Sequence, residues 1–193
     1  MGTRSGVWLF NPHTATFSGE VFWHLGMRRE VRCLMLDGDR LWIGTYGDGL
    51  KVLNLQTGAV KSYTYQRTVP NSICGNEVLS LCKDNYGHVY VGTGWGLCFY
   101  NPVADNFTSV IHIGSMNSVT DLHTDRAGNV WAATSNNGVF RHIPRESYWK
   151  HFEYVRGDST ALTSNSVNVL FEDNEGTMWI GTNGGGLCSF VSE

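Results

Sequence analysis

One short phrase returns through this chain: an aromatic residue in an apolar strand, a small residue, a threonine, a polar loop, then glycine and a second strand. It runs from Leu41, Trp42, Ile43, Gly44 and Thr45 to Gly49-Leu50, and from Val89, Tyr90, Val91, Gly92 and Thr93 to Gly96-Leu97. It returns from Val130, Trp131, Ala132, Ala133 and Thr134 to Gly138-Val139, and from Met178, Trp179, Ile180, Gly181 and Thr182 to Gly186-Leu187. A fifth, headless copy opens at Gly6-Val7. The threonines lie 48, 41 and 48 residues apart. A repeat of this length built only of strand and turn signals predicts an all-β propeller. A blade of short strands cannot bury both its faces alone and must lean on its neighbours.

Each period predicts four strands. The innermost, A, reads Val31–Leu36, Val78–Lys83, Val119–Thr124 and Val167–Glu172. Its Val and Leu recur three apart, as in Val78 and Leu81, where alternation would give two. That predicts a bulge or a strand covered on both faces. Asp-x-x-Gly follows at Asp84, Asp125 and Asp173 and suits a type I turn; a calcium loop would need more oxygen ligands at alternating positions. The first full copy shortens this turn to Asp37-Gly38-Asp39. On strand B, Gly44, Gly92, Ala133 and Gly181 share a face with the aromatic two residues earlier. They should leave a hollow for a bulky group, an aromatic, from another blade. Phe17, Val60, Phe107 and Trp149 seed an outer strand D. Asn76, Asn117 and Asn165, each in Asn-x-Val, should hold backbone at the entry to strand A.

The expected fold is therefore a β-propeller of four-stranded antiparallel blades, an incomplete arc of about four to five blades. The expected division of this single propeller fragment, residues 1–193, is a partial blade at 1–30, blades at 31–77, 78–118 and 119–166, and a partial blade at 167–193. The chain is expected to begin at a strand C. Exposed edge strands would invite pairing between copies into a homodimer.

The pattern Asn-x-Val, Asp-x-x-Gly, Trp/Tyr-Ile/Val-Gly-Thr, Gly-Leu, Asn-Pro closely resembles the two-component regulator propeller repeat family. The fullest copies are Asn165 to Leu187 and Leu41 to Leu50. Ala132-Ala133 in place of Ile-Gly, and Tyr90 in place of Trp, are the departures. The resemblance implies the periplasmic sensor domain of a membrane-bound hybrid histidine kinase, in which such propellers take part in signal transduction and many respond to oligosaccharides. It implies as partners an oligosaccharide ligand and the remaining blades and signalling domains of a parent protein.

Charge and motifs narrow the function further. With 14 basic and 17 acidic residues and no basic cluster, the chain is not expected to bind nucleic acid or to touch a membrane directly. The seven histidines fall at unrelated blade positions, and no zinc motif, nucleophile elbow or phosphate loop is present. The sequence thus predicts no catalytic residue, no metal site, no cofactor and no enzyme. The five cysteines contain no C-x-x-C and read as small buried hydrophobes; Cys98 and Cys188 share a slot in different blades and should not pair. Ligand-binding residues are expected in the B–C loops: Tyr46, Asp48, Trp95, Asn136, Asn137 and Asn183. Flat rings beside amides and carboxylates suit a sugar, while the same residues also suit turns for backbone reasons alone. A non-catalytic protein–protein scaffold is the alternative function, and a propeller lyase or hydrolase a remote third.

Overall fold

Val, Ile, Trp and Tyr alternating with small residues and bounded by Gly and Asp turns favour pleated, half-buried strands. The computed structural model, which describes residues 1–3, 6–18, 30–110, 118–143 and 148–191, contains such strands and no helix among those residues. None therefore offers a helix long and apolar enough to cross a membrane. Three four-stranded antiparallel meanders follow one another. The first comprises β5 (Val31–Asp37), β6 (Arg40–Thr45), β7 (Leu50–Asn54) and β8 (Val60–Tyr63). The second comprises β9 (Val78–Lys83), β10 (Val89–Thr93), β11 (Gly96–Asn101) and β12 (Asn106–Ser109). The third comprises β13 (Val119–Thr124), β14 (Val130–Thr134), β15 (Val139–Ile143) and β16 (Tyr148–Phe152). A three-stranded sheet, β17 (Val167–Glu172), β18 (Thr177–Thr182) and β19 (Gly186–Val191), follows them.

Four short strands precede these sheets: β1 (Gly2–Thr3), β2 (Gly6–Val7), β3 (Leu9–Asn11) and β4 (Thr16–Ser18). The opening copy is not headless, which corrects the expectation of a start at strand C. Thr3 Oγ1 donates to Gly6 O at 3.0 Å, as Thr93 Oγ1 does to Gly96 O at 2.9 Å, so Gly2-Thr3 is the tail of a strand B. The innermost strands β5, β9, β13 and β17 pack side by side in sequence order, which makes the arrangement an arc of propeller blades.

Three local devices shape each blade. The first is the strand A bulge, which the Val–Leu spacing anticipates: the register against strand B slips between Val31 and Cys33, between Val119 and Asp121, and between Val167 and Val169. The second is the Asp turn. Asp125 accepts the Asn129 N–H at 2.8 Å and the Trp131 indole N–H at 2.7 Å; Asp173 does the same for Thr177 (3.0 Å) and Trp179 (2.8 Å). The turn residue therefore also fixes the strand B aromatic. In the blade with the shortened turn, Asp37 binds Arg40 and Lys83 instead, and the buried Trp42 indole N–H has no partner among the described residues. The third is the Asn of Asn-x-Val. Asn76 Oδ1 accepts the Tyr65 N–H at 2.7 Å and Asn165 Oδ1 the Tyr154 N–H at 2.6 Å, so the amide holds backbone, but just past strand D where the entry to strand A was expected; Asn117 lies outside the described residues.

Blades join through the small residue of strand B. A Cβ added at Gly44 would lie 2.7 Å from Val78 Cγ1, and one at Gly92 2.8 Å from Val119 Cγ1. The hollow is filled by the first valine of the next blade, where an aromatic was expected, because strand A enters there at its bulge. The aromatics instead cover the neighbouring blade above it: Trp42 meets the Tyr100 ring edge-on at 5.2 Å, and Trp131 meets Phe190 at 5.2 Å.

An ion pair adds to the first full interface. Lys83 Nζ stands 2.6 Å from Asp37 Oδ1, and that bond is the main reason the Asp37 carboxyl titrates below its usual 3.8. A carboxylate depressed on folding contributes stability that is present above the unfolded value and is lost as pH falls through the folded one. We expect Lys83→Met to return the Asp37 pKa upward and to move the onset of acid unfolding to higher pH. Carboxyl NMR titration and an acid unfolding curve would check both.

Candidate functional site

The B–C loops and the links between blades gather at one end of the sheets because the backbone ties them there. Gly94 N donates to Glu77 O at 2.9 Å, Ser135 N to Ser118 O at 3.0 Å and Asn183 N to Ser166 O at 2.7 Å. Gly47 N and Gly49 N both reach Asn76 O at 3.0 Å, from one blade to the link that leads into the next. In each B–C loop the threonine closes the turn. Thr93 Oγ1 accepts the Trp95 N–H at 3.2 Å while donating to Gly96, which lifts Trp95 to the tip of the β10–β11 hairpin.

The link over residues 64–77 forms the other wall. Ser72 Oγ and the Gln66 backbone bond each other in both directions (3.1 and 3.2 Å), and Asn71 O accepts the Phe107 N–H at 2.9 Å. Ile73 is buried in the core beside Trp42 and Val78. The link is thus pinned at several points while its polar side chains remain at the surface. Between it and the hairpin lies a cleft of about 900 Å³, with Tyr65, Gln66, Arg67, Asn76, Glu77, Trp95 and Ser109 among its lining. Gly75 makes room for the indole: a Cβ there would come within 3.0 Å of Trp95 Cδ1.

Of the six residues the sequence pointed to, Trp95 lines this cleft, with 58% of its surface exposed. Tyr46 pairs by a β-bridge with Glu77 at the cleft edge, and Arg32 lies over its ring at 4.7 Å. Asp48, Asn136, Asn137 and Asn183 do not line it. Asn137 instead offers its carbonyl to His151 Nε2 at 2.8 Å. The link residues Tyr65, Gln66, Arg67 and Glu77 escaped sequence reasoning. Links vary between blades, and the only signal available was that their Asn-x-Val end is fixed while the rest is polar. At the opposite end of the sheets a second cavity, about 340 Å³, lies among Arg126, Trp131, Glu172 and Phe190. Arg126 spans it to the Asp173 and Asn174 carbonyls at 2.9 and 2.8 Å, so it is braced by a structural contact between blades.

Residues 72–95 and 161–184 match the two component regulator propeller family. Those two segments are two component regulator propeller repeats. Both matched segments run from just before the Asn of Asn-x-Val through the Gly-Thr of strand B, so the match in each includes the Asp turn and the indole or phenol it holds. No curated protein matches the sequence. Among solved structures, the extracellular domains of two hybrid two component systems from B. thetaiotaomicron superpose with TM-scores of 0.81 and 0.80 at 23% and 21% identity. They are covered over 24% and 26% of their length, and they cover 98% and 100% of this chain. This chain therefore spans about a quarter of those domains. A virginiamycin B lyase from Staphylococcus aureus has a TM-score of 0.65 at 12% identity over 97% of this chain and 63% of its own. Such likeness establishes the propeller fold, which hosts an enzyme as readily as a non-catalytic domain, so function has to be argued from the site.

Proposed function

We propose that this chain is a ligand-sensing segment of an extracytoplasmic propeller in a hybrid two-component sensor, that it is not catalytic, and that its cleft takes a carbohydrate. The repeats support the first part, and two of the similar structures are extracellular domains of such systems. The observation that carries the ligand reading is the pairing of exposed aromatic rings with polar side chains in one cleft. Trp95 and Tyr65 are 58% and 47% exposed, and Gln66, Arg67, Asn76 and Glu77 line the same cleft. A pyranose offers an apolar C–H face to such rings and hydroxyls to such amides and charges. The cleft spans two blades and the link between them, so a bound sugar would bias their relative placement, which is what a sensor must transmit.

Calorimetry against a panel of oligosaccharides tests this. Binding by one member should weaken at least tenfold in Trp95→Ala, about 1.4 kcal/mol, and stay within twofold in Asn183→Ala, whose loop lies two blades away. No binding by any member would remove the carbohydrate part. A Trp95→Ala variant that lost association with a protein partner while no sugar bound would favour the scaffold reading.

A further inference from the structure

Two thiols meet at the wall of the cleft, Cys74 lining it and Cys98 buried behind. Cys74 belongs to the link, two residues before Asn76, and is partly buried; Cys98 lies in β11 and is fully buried. Cys98 pairs with Ser109 across β11 and β12, and Cys74 Sγ stands 3.3 Å from Ser109 Oγ, so the two thiols converge beside that hydroxyl. The repeat itself creates this meeting. In the last sheet the same positions hold Thr163 and Cys188, with Oγ1 and Sγ 3.1 Å apart. Each pair follows a buried aliphatic residue, Ile73 or Leu162, and precedes the Asn of Asn-x-Val. Only between Cys74 and Cys98 does the meeting put sulfur on both sides.

We propose that Cys74 and Cys98 are a redox-active dithiol that closes into a disulfide, tying the inter-blade link to strand C of the following blade, with a low-molecular-weight disulfide as oxidant. Two thiols that converge on one hydroxyl from neighbouring segments need little backbone movement to come to bonding distance. The order of events follows from exposure. The Cys98 hydrogen bond, helped by Ser109 and opposed by burial, brings Cys74 down to about 7, so near neutral pH much of it is thiolate, the attacking form. Burial holds Cys98 well above the usual thiol value, as a protonated partner. The Cys74 thiolate attacks one sulfur of the oxidant R–S–S–R, forming Cys74–S–S–R and releasing RS⁻. The Cys98 sulfur then attacks Cys74 Sγ, its proton passes to the second departing RS⁻, and RSH leaves. The protein dithiol loses two electrons, and the oxidant becomes two thiols. Disulfides form and persist outside the cytoplasm, so the step rests on the extracytoplasmic placement proposed above. The inference stands on thiol placement and does not require that the cleft bind a sugar.

The native 193-residue chain is treated with oxidised glutathione at neutral pH, quenched with acid, alkylated and mapped without reduction. Titratable thiols should fall from five to three, with one cross-linked peptide pair carrying Cys74 and Cys98. In Cys98→Ala the mixed disulfide should instead persist on Cys74. Retention of all five thiols, a link through Cys33, Cys82 or Cys188, or a lasting glutathione adduct on Cys74 in the unaltered chain would overturn the proposal. If Cys98→Ala does not fold, Cys74→Ser decides alongside the unaltered chain: it should keep all its remaining thiols, and their loss would count against the pair.

Discussion

Trp131→Ala should cost about 3–5 kcal/mol, the range for deleting a large buried aromatic, read from the urea midpoint of the 193-residue chain. Trp131 is 1% exposed. It stacks on Phe152 at 5.8 Å within its own blade, meets Phe190 of the next blade edge-on at 5.2 Å, and lies under the Arg141 guanidinium at 5.4 Å. Alanine would open a cavity among Leu170, Met178 and Ile180 of the facing sheet. Trp131→Phe separates packing from hydrogen bonding. It keeps most of the ring but removes the indole N–H that Asp125 Oδ2 accepts at 2.7 Å, leaving that oxygen the Asn129 amide at 2.9 Å. We expect about 1 kcal/mol for that change, the usual net contribution of one hydrogen bond. Trp42→Phe is the control, because the Trp42 N–H has no partner to lose. Its cost should be clearly smaller than that of Trp131→Phe. Equal costs would mean that the bond from turn to indole adds nothing.

That contrast also shows what the sequence could and could not say. Strand order, the Asp turns and the strand A bulge were legible because each is set by residues close in sequence, and the Asn amides were legible by their recurrence, although their partners Tyr65 and Tyr154 lie well upstream. A carboxylate caps the N–H two to four residues on, and Val and Leu three apart signal a slipped register. The orphaned Trp42 indole was latent in the shortened Asp37-Gly38-Asp39 turn, but only if the turn aspartate was known to reach six residues ahead to the aromatic. The hollow was foreseen and its occupant was not. Gly44 and Gly92 announce empty space, but which side chain fills it depends on where the next strand enters. Gly2-Thr3 was too short a fragment of the phrase to stand out. The cleft was half legible: the hairpin that lifts Trp95 follows a fixed spacing, whereas Tyr65, Arg67 and Glu77 come from a link whose shape is set by long-range bonds such as Asn71 to Phe107.

Gly92→Val should cost about 3 kcal/mol, the upper end of the usual cost of overpacking. The backbone there is ordinary strand, so the penalty is one of space. A Cβ at Gly92 would sit 2.2 Å from Ser80 Oγ, 2.8 Å from Val119 Cγ1 and 3.1 Å from Val119 Cβ. Ser80 and Val119 differ in how they can give way. Ser80 belongs to the same blade, and its hydroxyl donates to Val119 O at 3.3 Å; Val119 opens the next blade's inner strand and is fully buried. The third full blade shows one solution. Ala133 stands where Gly92 does, and its cross-strand partner Asp121 turns its carboxylate to the Leu170 N–H at 2.8 Å. Gly92→Ala should therefore be mild once Ser80→Gly clears the hydroxyl. Gly92→Val should stay severe in that background and recover only when Val119→Ala clears the far wall. A double-mutant cycle over Gly92 and Val119 should show coupling of about 1 kcal/mol or more, as expected for residues that share one space. Simple additivity would mean that the valine does not hold the two blades together.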